Sequence, residues 1–183
     1  MKLARLLRYG YLAYLSQPSA DRTLYRAIRR ARPTRIVELG IGCGRRSLRM
    51  IELAQRHQPE PVHYAGIDLF EARAAETPGL TLKQAHSLLG GSGAKVRLVP
   101  GDPAAALRRA ANVLPQTDVL VISADQDREA LSRAWFYVPR MLHERSLVFR
   151  EEQLAEGTRF RLVARIEIER LAASSTRPLR AAA

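Results

Sequence analysis

From residue 35 onward, short runs of apolar residues take turns with longer stretches of helical periodicity, and this alternation admits few architectures. Strands and helices that alternate along a chain build crossover units, in which the strands pair in parallel and the helices cover both faces of the sheet. Residues 35–39, 62–68, 95–99, 118–123 and 146–149 predict five such strands. Each is short and apolar, as strands buried on two faces must be. Helices are expected over about residues 46–56, 81–89, 104–111 and 127–142. Gly90-Gly-Ser-Gly93 ends one helix before the third strand, and Pro115-Gln-Thr117 leads into the fourth.

The flanks are less regular. Residues 2–15 carry Leu3, Leu6, Leu7 and Tyr14 on roughly helical spacing, weakened at Gly10, and predict one or two short helical turns. Ser19-Ala-Asp21 precedes a clearer helix, with Leu24, Tyr25 and Ile28 as its apolar stripe, Arg22, Arg26, Arg29 and Arg30 on its wet face, and Pro33 as its stop. Residues 159–164 fit an edge strand, and residues 166–172 either continue it or form a short helix. The organisation expected is a basic helical segment, 1–33, packed on one α/β domain, 34–173, with a mobile tail at 174–183.

Charge is the abnormal quantity. Thirty basic residues face eighteen acidic ones, for a net charge of +12, and all but Lys2, Lys83 and Lys95 of the basic residues are arginines. Residues 1–35 hold nine basic residues and one acid, Asp21, which is +8 of the total. Planar guanidinium forks suit phosphate or carboxylate recognition, although a GC-rich genome also produces arginine without any partner. A nucleic acid is therefore one candidate partner, and the solvated face of ordinary helices is the other reading of the same arginines. One cysteine, Cys43, excludes an internal disulfide framework and a cysteine-rich zinc site, which points to a reducing cytoplasm. No apolar run approaches a membrane span, and the N-terminus lacks the pattern of a cleaved leader. The four histidines, His57, His63, His86 and His143, share no metal-ligand spacing. Trp135-Phe-Tyr137 reads as core or dimer packing rather than a base-stacking platform, which would interleave aromatics with basic residues on one exposed face.

The stretch that carries chemistry is Ile36-Val-Glu-Leu-Gly-Ile-Gly-Cys-Gly-Arg-Arg-Ser-Leu, a strand feeding a glycine turn and then a helix. In open parallel sheets, ligands sit at the carboxyl ends of the strands, and glycines let the first turn approach them closely. A dinucleotide turn would require glycine at position 45, which is Arg45. The E-x-G-x-G-x-G spacing resembles the first motif of class I S-adenosylmethionine-dependent methyltransferases. Three further segments fall in that family's order: Tyr64-Ala-Gly-Ile-Asp68 closing the second strand, Val96-Arg-Leu-Val-Pro-Gly-Asp102 after the third, and Thr117-Asp-Val-Leu-Val-Ile-Ser-Ala-Asp125 along the fourth.

The resemblance implies a three-layer Rossmann-like α/β fold, a mostly parallel sheet with helices on both faces, and S-adenosylmethionine as cofactor. It puts Glu38 and the backbone of Gly40, Gly42 and Gly44 at the methionyl end, Asp68 on the ribose hydroxyls, Leu69 beside the adenine and Asp102 near its amino group. Asp102 is equally placed to cap the next helix, and Leu69 and Phe70 to pack in the core. Arg45 and Arg46 oppose a helix dipole, a penalty that either solvation or a nearby anionic group would offset. Asp125 is the candidate catalytic residue at the reacting end, ahead of Asp127.

Ser123-Ala-Asp-Gln-Asp127 resembles a stretch of the metal-dependent small-molecule O-methyltransferases that begins with a ligand aspartate, and here that place is taken by Ser123. Their acid and amide after the fifth strand are also missing, since Phe149 is followed by Arg150, Glu151 and Glu152. A hard divalent cation needs several oxygens, so no catalytic metal is expected. The chain after the fifth strand is too short for the family's usual helix and full hairpin, so the C-terminal strand region should be shortened, with the substrate wall reduced or supplied by a partner subunit. The expected activity is metal-independent methyl transfer to oxygen or nitrogen of a small molecule. Two alternatives remain: an inert binder of the cofactor or a nucleotide, and an RNA-directed methyltransferase using the basic N-terminal segment. A homodimer is compatible with any of these.

Overall fold

The computed structural model describes residues 2–74 and 76–175. The N-terminal segment forms α1 (Lys2–Gly10), a π-helical turn (Tyr11–Leu15) and α2 (Asp21–Ala31). Alternation follows as β1 (Arg35–Leu39), α3 (Arg45–Gln55), β2 (His63–Asp68), a 3₁₀ turn (Phe70–Ala72), α4 (Leu82–Gly90), β3 (Lys95–Pro100), α5 (Pro103–Ala110) and β4 (Thr117–Ile122). The chain continues through α6 (Arg128–Ala134), β5 (Leu142–Leu154), β6 (Gly157–Leu162) and α7 (Arg165–Ser175).

One six-stranded sheet has the order β3-β2-β1-β4-β5-β6, parallel except for the antiparallel β5–β6 hairpin. The step from β1 outward to β2 on one side and to β4 on the other makes a topological switch point, where open α/β sheets form their crevice. Side chains alternate across the sheet. Ile36, Val119 and Val121 point to one face, where Leu12, Leu24, Ile28, Met50 and Ile51 cover them. Val37, Leu39, Leu120 and Ile122 point to the other, under Leu107, Leu131, Trp135, Met141 and Ile168. The N-terminal helices thus share a core with β1 and α3. Trp135 is buried in that second core, as the packing reading required.

Three expectations need correction. The helix expected over 127–142 stops at Ala134 and gives way to a 3₁₀ turn, Val138–Arg140, because Pro139 has no amide hydrogen to continue an α-helical ladder. The fifth strand spans Leu142–Leu154 rather than 146–149, because pairing with β4 reaches back to Leu142 and hairpin pairing with β6 carries it on to Leu154. Ser174 and Ser175, assigned to a mobile tail, end α7, where Ser174 Oγ donates to the Leu171 carbonyl at 2.9 Å. The rest of that tail, 176–183, lies outside the described residues.

Candidate functional site

At the switch point the chain leaves β1 through Gly40, Gly42 and Gly44, all with positive φ, at +87°, +59° and +72°. The three do different work. A Cβ on Gly40 would stand 2.5 Å from Gln126 Nε2, 2.8 Å from Ser123 Cβ and 2.9 Å from Asp125 Oδ1, so this position lets the turn meet the loop after β4. A Cβ on Gly44 would meet Leu88 at 2.6 Å and Leu80 at 3.0 Å, so its role is closure against α4. A Cβ on Gly42 would meet nothing within 4 Å, which leaves open space over the turn.

That space belongs to a cavity of about 500 Å³ at the carboxyl ends of β1 and β4. The turn residues Gly40–Cys43, Asp125 after β4, Glu151 of β5, Thr158 of β6 and Asp21 of α2 all contribute to its wall. The hairpin and the N-terminal helix therefore supply part of the wall that the short C-terminus had suggested a partner might provide. A larger cavity, about 880 Å³, lies on the outer side of α3 among Arg8, Arg45, Arg49, Glu52 and Arg56. It lacks the glycine turn and the strand ends, so the smaller cavity is the candidate site.

Among the residues singled out from sequence, Gly40, Gly42 and Asp125 line this one cavity. Asp125 is exposed, and its Oδ1 accepts from Gln126 Nε2 at 2.8 Å. Glu38 does not reach the cavity. As an even-numbered position of β1 it shares the face of Ile36 and points under α3, where it is fully buried. Oε1 accepts from Arg46 Nε at 2.7 Å, and Oε2 accepts from Ser47 Oγ at 2.6 Å and Tyr64 Oη at 2.5 Å. Burial and then the Glu38 charge push the Tyr64 hydroxyl well above its ordinary pKa, which keeps Tyr64 a donor. Glu38 thus orients Arg46, whose other nitrogens donate to the Gly40 carbonyl at 3.0 Å, to Ser123 Oγ and to Glu151 at 3.4 Å. Burial works against the Arg46 charge, but Glu38, Asp21 and Glu151 outweigh it and hold the guanidinium above its ordinary pKa. The anionic group that the two arginines called for is therefore internal, at least for Arg46.

Asp68 ends β2 beneath the turn. Its Oδ2 accepts from Ile41 N at 2.7 Å and Gly42 N at 3.1 Å, while Oδ1 pairs with Arg73 and accepts from Phe70 N at 3.4 Å. It shapes the glycine turn directly, and the Arg73 guanidinium shares its second oxygen. Leu69 is 39% exposed beside it, whereas Phe70 packs with Ile41 and Ala85. Asp102 takes the capping alternative: its Oδ1 accepts from Ala104 N at 2.9 Å and Ala105 N at 3.0 Å, ahead of Pro103 in the first turn of α5.

Several residues at the turn or in the cavity wall were not singled out from sequence, Glu151, Thr158, Arg73 and Asp21 among them. Arg73 had no signal in the motifs. Asp21 had one, as the only acid in the basic first 35 residues. Among the described residues no group of three or more His, Cys, Asp or Glu side chains is placed to hold a metal ion, and no helix is long and apolar enough to cross a membrane.

No protein-family model matches the sequence, and no curated protein does. Solved structures do match. The O-methyltransferase TomG from Streptomyces achromogenes, involved in tomaymycin synthesis and crystallised with S-adenosylmethionine, superposes with a TM-score of 0.53 at 15% identity over 80% of this chain and 64% of TomG. An O-methyltransferase from Bacillus cereus, in complex with S-adenosylhomocysteine, gives 0.54 at 15% identity over 81% of this chain and 64% of its own. An S-adenosylmethionine-dependent methyltransferase from Clostridium acetobutylicum gives 0.52 at 13% identity over 95% of this chain and 86% of its own. The chain thus spans less than two thirds of the length of the first two. What the chain shares with these proteins is the fold, the Rossmann-like α/β fold of S-adenosylmethionine-dependent methyltransferases.

Proposed function

We propose that this protein is an S-adenosylmethionine-dependent methyltransferase that acts without a metal on an oxygen or nitrogen of a small-molecule acceptor. The observation that carries the reading is the open space over Gly42, inside a cavity of about 500 Å³ at the strand ends. The turn beneath it is held by Asp68 through two backbone amides, at the switch point where this fold class binds ligands. Two similarly folded proteins, TomG and the Bacillus cereus enzyme, were crystallised with the cofactor or its demethylated product.

The cofactor would supply an activated methyl group on a sulfonium, for in-line displacement by the acceptor. This chain's residues would hold and orient: Gly40 and Gly42 by close backbone approach, Asp68 toward the ribose, Leu69 beside the adenine, and Asp125 at the end of the cavity where the acceptor meets the methyl group. Such catalysis is mainly positioning. Asp102 is committed to its helix cap, so its part near the adenine is the backbone placement of that loop. Ser123 in place of a ligand aspartate supports metal independence. The single cysteine suits a cytoplasmic protein.

Calorimetric titration with S-adenosylhomocysteine tests the reading. Binding is expected, with a large loss of affinity in Asp68→Ala; absence of heat at millimolar ligand with folded protein overturns it. Radiolabelled methyl transfer into a cell extract then separates an enzyme from an inert binder, and label that disappears with ribonuclease would move the acceptor from small molecule to RNA.

A further inference from the structure

Asp21 opens α2 and is one of the residues that line the candidate site, and it is 3% exposed. Oδ2 accepts from Tyr25 Oη at 3.1 Å. Oδ1 is the only buried side-chain nitrogen or oxygen among the described residues that has no hydrogen-bond partner. A buried carboxylate oxygen without a donor is destabilising, because it has lost water and gained nothing. No nearby protein group remedies this: Arg46 is spent on Glu38, the Gly40 carbonyl, Ser123 and Glu151. An occupant of the cavity that Asp21 lines would be placed to bring the missing donor.

The charge around the cavity narrows the donor. Three acids, Asp21, Asp125 and Glu151, share the wall with two bases, Arg45 and Arg46, and Arg46 is already paired with the buried Glu38 beneath it. A surplus of carboxylates favours a cationic donor over a neutral hydroxyl. Glu38, expected at the methionyl end, is sealed under α3 by three donors and cannot meet a ligand there. We infer that Asp21 receives the primary ammonium of an amino-acid group bound in this cavity, namely the methionyl end of the cofactor. The inference rests on the proposed methyltransferase reading and assigns the amino-acid subsite to the N-terminal helix. Arg45, exposed on the same wall, is the cation available to the carboxylate of that group.

The test uses the full chain and two probes: S-adenosylhomocysteine, and methylthioadenosine, which has the nucleoside and sulfur but no amino-acid group. In Asp21→Asn the affinity for S-adenosylhomocysteine should fall about ten-fold or more, the loss of a charge-assisted pair, while methylthioadenosine binding stays unchanged. The unliganded variant should melt at a higher temperature than the parent protein, because a buried charge that Arg46 and Tyr25 only partly compensate has gone; a purely structural aspartate would give the opposite shift. Asp21→Ser carries the same expectations if the asparagine variant folds poorly by circular dichroism. Unchanged affinity for S-adenosylhomocysteine, or an equal loss for both probes, overturns the inference. A parent protein that binds neither probe overturns the methyltransferase reading itself.

Discussion

Residues of one type have different consequences around this site, because each meets a different environment. Gly40→Ala forces a Cβ into three side chains at a strained φ, so it should destabilise the fold by about 1–3 kcal/mol in a denaturant titration and disorder the turn. Gly42→Ala meets no atom and faces only the backbone penalty, about 1–2 kcal/mol. Its main effect should be a weakened calorimetric affinity for S-adenosylhomocysteine, since the methyl group enters the ligand's space. Asp21 adds a pH signature. Burial raises its pKa above the ordinary aspartate value, with Tyr25 and Arg46 opposing and Glu38 and Glu151 adding to the rise. The folded protein therefore keeps a proton that the unfolded chain releases. That stabilising contribution is complete below about pH 4, the ordinary aspartate range, and is lost as pH rises through the raised value. Melting curves from pH 4 upward should show this decline in the parent protein and a flatter profile in Asp21→Asn.

Between elements, the joint that holds β1 against β4 rests on Asp118. Its Oδ2 accepts from Thr34 N at 2.7 Å, Thr34 Oγ1 at 2.9 Å and Arg35 N at 2.8 Å, and Oδ1 lies 3.0 Å from His143 Nε2. Burial alone would raise its pKa, but the backbone amides of Arg35 and Thr34 outweigh burial and lower it. The joint should therefore be stable above the ordinary aspartate range and weaken as pH falls through the depressed value. Asp118→Ala leaves the partly buried Arg35 amide and the exposed Thr34 amide unpaired at the start of β1 and should cost about 1–3 kcal/mol, read as a lower denaturant midpoint. At the far end of the sheet, Arg161 bridges Glu152 at 2.6 Å and Glu167 at 2.7 Å, tying the β5–β6 hairpin to α7. That tie braces the hairpin from which Gln153 and Thr158 reach the cavity.

At the scale of the whole molecule, the site is assembled from both flanks of the chain around the switch point. Ligand binding should therefore stabilise the entire cooperative unit. S-adenosylhomocysteine at about one hundred times its dissociation constant should add about 2.7 kcal/mol, seen as a concentration-dependent rise in melting temperature. Chelator should change neither that rise nor methyl transfer; activity that vanishes with chelator and returns with magnesium would contradict metal independence.

The alternation of apolar runs with helical stretches determined the α/β class and the succession of the first five strands along the chain, because burying strands on two faces leaves a pattern in composition. The glycines, Asp68 and Asp125 were legible for a similar reason: turns and strand ends demand particular residue types at particular spacings. Tertiary structure decided what those residues touch. Pleat parity sent Glu38 under α3 instead of into the cavity, helix capping claimed Asp102, and hairpin pairing stretched β5 past its apolar centre. Asp21 stood out in the sequence only as a lone acid among arginines. The isolation of its Oδ1 from every donor exists only once α2 packs over the glycine turn, since a missing hydrogen bond is a property of surroundings drawn from distant parts of the chain.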